Sequence, residues 1–152
     1  MNDHRGFTIF LRVYGAITVI LFTLLFLGFM ANTSLLAEQG GPLNWLIWND
    51  VRFGDEHAHV PPMLLLIYVV WGAFLLRAAR DPLAHRSFLD FTMWANAAHG
   101  VLMTFQAAME IDRYWSKFLT DIPFVLLPVA VIYVWRSGAG RRQQSAATAG
   151  PG

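Results

Sequence analysis

Thr92, Asn96, His99, Met103, Gln106 and Glu110 follow one another at intervals of three or four residues. On a helix turning about 100° per residue they share one sector of roughly 80°. An imidazole in that position could ligate a haem or chlorin, exchange protons together with Glu110, or hydrogen-bond to a neighbouring helix. A bis-histidine haem needs a second histidine at matching depth, but His57 and His59 fall at a helix end and His85 in a turn. Only His/Met or single-His ligation remains, so haem or chlorin is the weaker reading. Ala95, Gly100 and Ala107 flank the polar residues and would let another helix come close, the pattern of an interhelical seam. His99 is therefore expected to pair with Asn96 or with a partner helix.

A second constellation precedes it. Glu56, His57 and His59 sit within a few residues of one another, in the run GDEHAHVPP, and with Glu110 they would suit a divalent metal such as zinc, copper, iron or nickel. Neither HExxH nor any other established ligand spacing is present. A cluster of this kind also occurs simply as solvated charge at a loop end.

The elements that must position these groups are membrane elements. Of the 152 residues 56% are hydrophobic and only 14% charged, with six Trp and twelve Phe, outside the range of an ordinary soluble domain. A net charge of +1 argues against nucleic acid as a partner. With no cysteine, disulfides, thiol catalysis and iron-sulfur clusters are excluded. Spans of about 20 residues leave room for four helices in this length and for no separate soluble domain.

The expected fold is all-α: a polytopic membrane protein with a single four-helix transmembrane domain over residues 1–136, its spans near 7–31, 60–80, 88–109 and 118–136. The first segment is read as a retained span and not a cleaved signal, because about 25 apolar residues is long for a signal core and Arg12 lies inside it. Leu43, Ile47 and Val51, beside Trp45, Trp48 and Phe53, suggest either a short helix at headgroup level or an irregular loop with aromatic anchors in the first connection. Pro61 and Pro62 open the second span, where a missing N–H costs least. Asp81 before Pro82 ends it. Ser87 is expected to cap the third span, with Asp90 completing a capping box. Arg80 or Arg86 is expected to pair with Asp81 or Asp90. Thr120 or Asp121 should cap the fourth span, in which Pro128 must free the carbonyl of Phe124. Residues 137–152, rich in Gly, Ala and Ser, are expected to form a disordered cytoplasmic tail.

Arg5, Arg12, Arg77, Arg80, Arg86, Arg136, Arg141 and Arg142 fall on one side of these spans, against Arg52, Arg113 and Lys117 on the other. Both termini are therefore placed in the cytoplasm. The same arginines, with His85, could meet anionic lipid headgroups.

Tyr68, Gly72, the run ARDPLAHRS from Ala78 to Ser87, then Phe91, Thr92, Trp94, His99, Met103 and Gln106, with Asp121 and Pro123, resemble a family of small bacterial four-helix membrane proteins of undefined function. The resemblance covers about half of the chain and implies four spans in a bacterial inner membrane. It implies no activity, and the Trp-rich first connection and the tail depart from it.

No nucleophile and base stand at motif spacing. The expected role is an accessory or interaction subunit whose polar seam on the third helix meets a membrane-protein partner or a second copy. The alternative is a membrane-embedded module that binds or transports a small molecule or metal. A small membrane enzyme using His99 or Glu110 comes last.

Overall fold

The computed structural model describes residues 2–31 and 60–148, and over these the chain is helical with no strand. Four long helices, α1 (Asn2–Met30), α2 (Val60–Ala78), α3 (Arg86–Met109) and α5 (Asp121–Thr148), are joined in the second half by the single turn α4 (Ile111–Tyr114) and a 3-10 turn over Trp115–Phe118. The amphipathic segment around Trp45 and the cluster Glu56, His57 and His59 lie outside the described residues.

Two stretches are long and apolar enough to cross a membrane, Arg5–Met30 with mean hydropathy 2.3 and Trp115–Gly138 with 1.9. The apolar part of α2, Pro62–Ala78, is shorter. α3 does not qualify, because its polar stripe lowers its hydropathy.

Side-chain contacts fix the order of the bundle. Gly15 of α1 lies against Gly72 and Leu75 of α2. Phe74 of α2 meets Phe88 of α3, and Gly100 of α3 meets Leu126 of α5. Phe7 stacks on Trp135, its ring centroid 4.4 Å away, closing α5 onto α1. The helices thus run up, down, up and down. Two of these approaches require glycine. A Cβ on Gly72 would stand 2.9 Å from Val19 Cγ2 and 3.0 Å from the Val19 backbone nitrogen, and one on Gly100 would collide with Leu126. Small residues let the paired backbones close up, which is how helices gain dispersion contacts.

Burial is uneven along the bundle. At the end where α2 turns into α3, Phe7, Leu11, Leu75, Leu89, Ile132 and Trp135 form one core fed by all four long helices. At the other end the core is Phe22, Leu25 and Leu65, from α1 and α2, with Phe124 of α5 against it. The C-terminal third of α3 contributes only Ala107 to the buried set.

Four expectations need correction. α3 starts at Arg86 with His85 as its N-cap and no side-chain cap, so Ser87 already lies inside the helix and no capping box forms. Asp90 instead pairs with Arg136 of α5, and Asp81 spends its carboxylate on the backbone, accepting hydrogen bonds from the N–H groups of Leu83 and Ala84 at 3.1 Å each. That Asx-type turn stabilises the break before α3 without any arginine. At the start of α5 the Thr120 hydroxyl turns back to donate to the Ser116 carbonyl at 2.9 Å. Residues 137–148, where composition predicts disorder, continue α5 to Thr148. The run contains Arg141, Arg142, Gln143, Gln144, Ala146 and Ala147, whose helix propensities are high enough to carry the helix on.

Candidate functional site

The polar sector of α3 divides into two halves with different surroundings. In the half nearer the α2–α3 turn, Thr92 is fully buried and Asn96 nearly so, while His99 is half-buried. Thr92 Oγ1 accepts from the indole N–H of Trp71 at 3.1 Å. The Asn96 amide donates to the carbonyl of Thr92 at 2.8 Å, one turn back along its own helix. Asn96 is thus committed locally and does not pair with His99. The partner of His99 is Tyr68 of α2, whose hydroxyl lies 3.1 Å from Nδ1. Their rings tilt together with centroids 6.4 Å apart.

This polar layer continues into α1 and α5. Tyr14 of α1 donates its hydroxyl to the carbonyl of Phe124 at 2.9 Å. That carbonyl is the one released by Pro128, which has no N–H to offer it four residues on. A helix can keep an interior proline when a neighbour supplies the missing donor, and here a phenol from another helix does so. Thr18 bonds back to the Tyr14 carbonyl at 2.8 Å, an intrahelical use of the hydroxyl.

Around these groups lies a cavity of about 30 Å³ lined from all four long helices, including Tyr14, Tyr68, Asn96, His99 and Asp121. The space is too small for an organic substrate, and because its accessible lining is almost wholly apolar it offers a water few partners. Asp121, the first residue of α5, is buried there.

The other half of the sector opens outward. Met103 lines the central cavity on one side and a larger pocket on the other. Gln106 and Glu110 are exposed and border that pocket of about 340 Å³, which Tyr114 and Lys117 complete. The Lys117 ammonium sits over the Tyr114 ring, 4.6 Å from its centroid. Opposite charges therefore share one mouth, with Glu110 as the residue that ends α3. Among the described residues no three His, Asp or Glu side chains cluster as a metal site would require.

The structure brings Asn96, His99 and Met103 together at the centre and leaves Gln106 and Glu110 outside. Sequence reasoning did not single out Tyr14, Tyr68 and Trp71 as the partners. The signal available was Tyr68 and Trp71 one turn apart in an otherwise apolar helix, an arrangement that puts an O–H and an indole N–H on one face.

Fold and site define an all-helical bundle with a small polar centre closed by its own side chains. The chain belongs to the family of unknown function DUF6632, whose model matches residues 8–149. Neither curated proteins nor solved structures give a match.

Proposed function

We propose that the chain is a small integral membrane protein of the bacterial inner membrane, with four spans and both termini cytoplasmic, acting as an accessory or interaction subunit. The observation that carries the role is the division of the α3 sector. Its inner polar groups pair within the chain around a space too small for an organic ligand, whereas Gln106 and Glu110 stand exposed at a helix end. An exposed amide and carboxylate on a helix otherwise faced with Trp94, Val101 and Phe105 gain most from a second protein surface.

Membrane residence is supported by the apolar exterior. Ile9, Val13, Ile17, Ile20, Leu24 and Leu27 form an exposed stripe down α1 at spacings of three and four. Only 28% and 33% of the two apolar stretches are buried, where the core helix of a soluble protein would be mostly covered. Continuous apolar surface on this scale is what lipid or a membrane partner covers. The arginine asymmetry supports the orientation.

A photoreactive amino acid at position 106 should give a discrete protein adduct in intact membranes, and one at Trp94 should not. Absence of any protein adduct at 106 and at 110 would overturn the role. A second reading, a binding module for a small molecule with both charge signs, draws on Lys117 and Glu110 sharing one pocket. Under that reading the adduct at position 106 is a small molecule and not a chain.

A further inference from the structure

The outer surface between α3 and α5 is grooved. A space of about 650 Å³ runs between Trp94 and Ala97 of α3 and Ala130 and Tyr133 of α5, its lining almost wholly apolar until it ends at Arg136 and Ser137. That volume lies within the range of small-molecule sites. Ala97 and Ala130 leave the slot open because neither extends beyond Cβ, while the exposed side chains of Trp94 and Tyr133 flank it.

Two features choose the occupant. Length is the first. From Leu126 to Ser137 the groove follows α5 for about 16 Å at 1.5 Å per residue. This is close to half the hydrocarbon thickness of about 30 Å, the depth of one leaflet. The second is charge. Arg136 gives one terminal nitrogen, Nη1, to Asp90 Oδ1, yet its side chain is still 47% exposed and a guanidinium carries five N–H donors in a fork suited to phosphate. Arg86 begins α3 at the same end of the bundle, where Arg77 closes α2 and Arg80 lies in the turn after it. We infer that the groove is a site for an anionic phospholipid, its acyl chain lying between Trp94 and Tyr133 and its phosphate on Arg136. A helix of a second copy is about 10 Å across and would meet the two aromatic side chains before reaching the alanines.

This inference rests on the membrane reading above, and the test separates the two. Full-length protein in mild detergent is titrated with phosphatidylglycerol and with phosphatidylcholine, and retained lipid is counted by native mass spectrometry. The wild type should prefer phosphatidylglycerol by about fivefold or more, the contribution of one basic residue near an anionic headgroup. Arg136→Gln should abolish the preference and Arg136→Lys should restore most of it. Asp90→Asn, which removes the competing carboxylate, should strengthen it, an effect that loss of a merely structural ion pair would not produce. Ala130→Trp, which fills the slot, should lower retention of both lipids. Equal retention of the two lipids by the wild type overturns the site, as does lipid retention that ignores Ala130→Trp. Dissociation of a dimer by Ala130→Trp would hand the groove to a second copy. Carbonate extraction of the same membranes tests the underlying reading. A chain that stays in the bilayer without lipid preference loses the groove alone, and a chain released by carbonate loses both.

Discussion

Thr92, Asn96 and His99 occupy the same helix face as Gln106 and Glu110, yet the first three are enclosed by α1, α2 and α5 while the last two are exposed. Residue type does not explain the difference, since both halves mix amides with titratable groups. Position in the bundle does. The aromatic side chains that cross between helices, Trp71, Tyr68 and Tyr14, reach α3 and α5 only near the middle. Beyond Gly100 the described part of the bundle buries only Ala107 of α3. A polar stripe is thus a statement about which side faces protein, and the neighbouring helices decide how much of it they close.

The largest effect expected from that contrast comes from placing a cation on adjacent residues. Phe105 is 62% exposed on the apolar side of α3, and Gln106 next to it lies in the open half of the sector. Phe105→Lys should cost up to about 2.5–3.5 kcal/mol, the value for a cation at a helix centre, less whatever snorkelling to the nearby end of α3 recovers, and appear as a chain lost from carbonate-washed membranes. Gln106→Lys should insert normally beside Glu110. His99→Lys should insert but lose the contact with Tyr68. Equal insertion defects at 105 and 106 would mean that the two faces of α3 do not differ in environment.

Much of this arrangement is legible in the sequence because it depends on local periodicity. The sidedness of α3, the break at Asp81–Pro82 and the carbonyl released by Pro128 are all properties of residues within one or two turns of each other. The partners are not local. Tyr14 is 110 residues from Phe124, and Tyr68 is 31 from His99, so pairing them requires the relative register of packed helices, which no single helix encodes. The capping box expected at Ser87 fails for a related reason. Asp90, the residue that would complete the box, is drawn to Arg136 on another helix. Likewise, the helical continuation past Ser137 reflects the propensity of its Ala, Arg and Gln residues, which outweighs the glycines and serines between them.

The second effect tests the closed half alone. Tyr14→Phe removes the donor from the Phe124 carbonyl and leaves a buried acceptor unpaired, at a cost of about 1–3 kcal/mol. Chemical unfolding in detergent should show that loss, and Thr18→Val, which deletes only a bond within α1, should show less. A neutral Tyr14→Phe would indicate that another donor replaces the phenol at the Phe124 carbonyl.

The third is smaller. The Tyr68–His99 contact is an interhelical hydrogen bond, and such bonds average about 0.6 kcal/mol with a ceiling near 1.7. A double-mutant cycle of Tyr68→Phe with His99→Leu should give a coupling in that range. No coupling would mean that the two rings merely pack.

The smallest effect on stability belongs to the open half, and it is the most informative about role. Gln106 and Glu110 are exposed, so Gln106→Leu combined with Glu110→Gln should leave unfolding unchanged to within about 0.5 kcal/mol, as for surface positions generally. The same pair of changes should nevertheless weaken the protein adduct formed by a photoreactive group placed nearby, at Met109, which is 71% exposed. The two readouts move in opposite ways across the sector. Changes at Tyr14 or Tyr68 lower stability and alter the adduct only through loss of fold, whereas changes at 106 and 110 spare the fold and remove the partner. If Gln106→Leu with Glu110→Gln lowers stability as much as Tyr14→Phe, these residues are part of the fold after all, and the distinction between a closed and an open half of α3 fails with them.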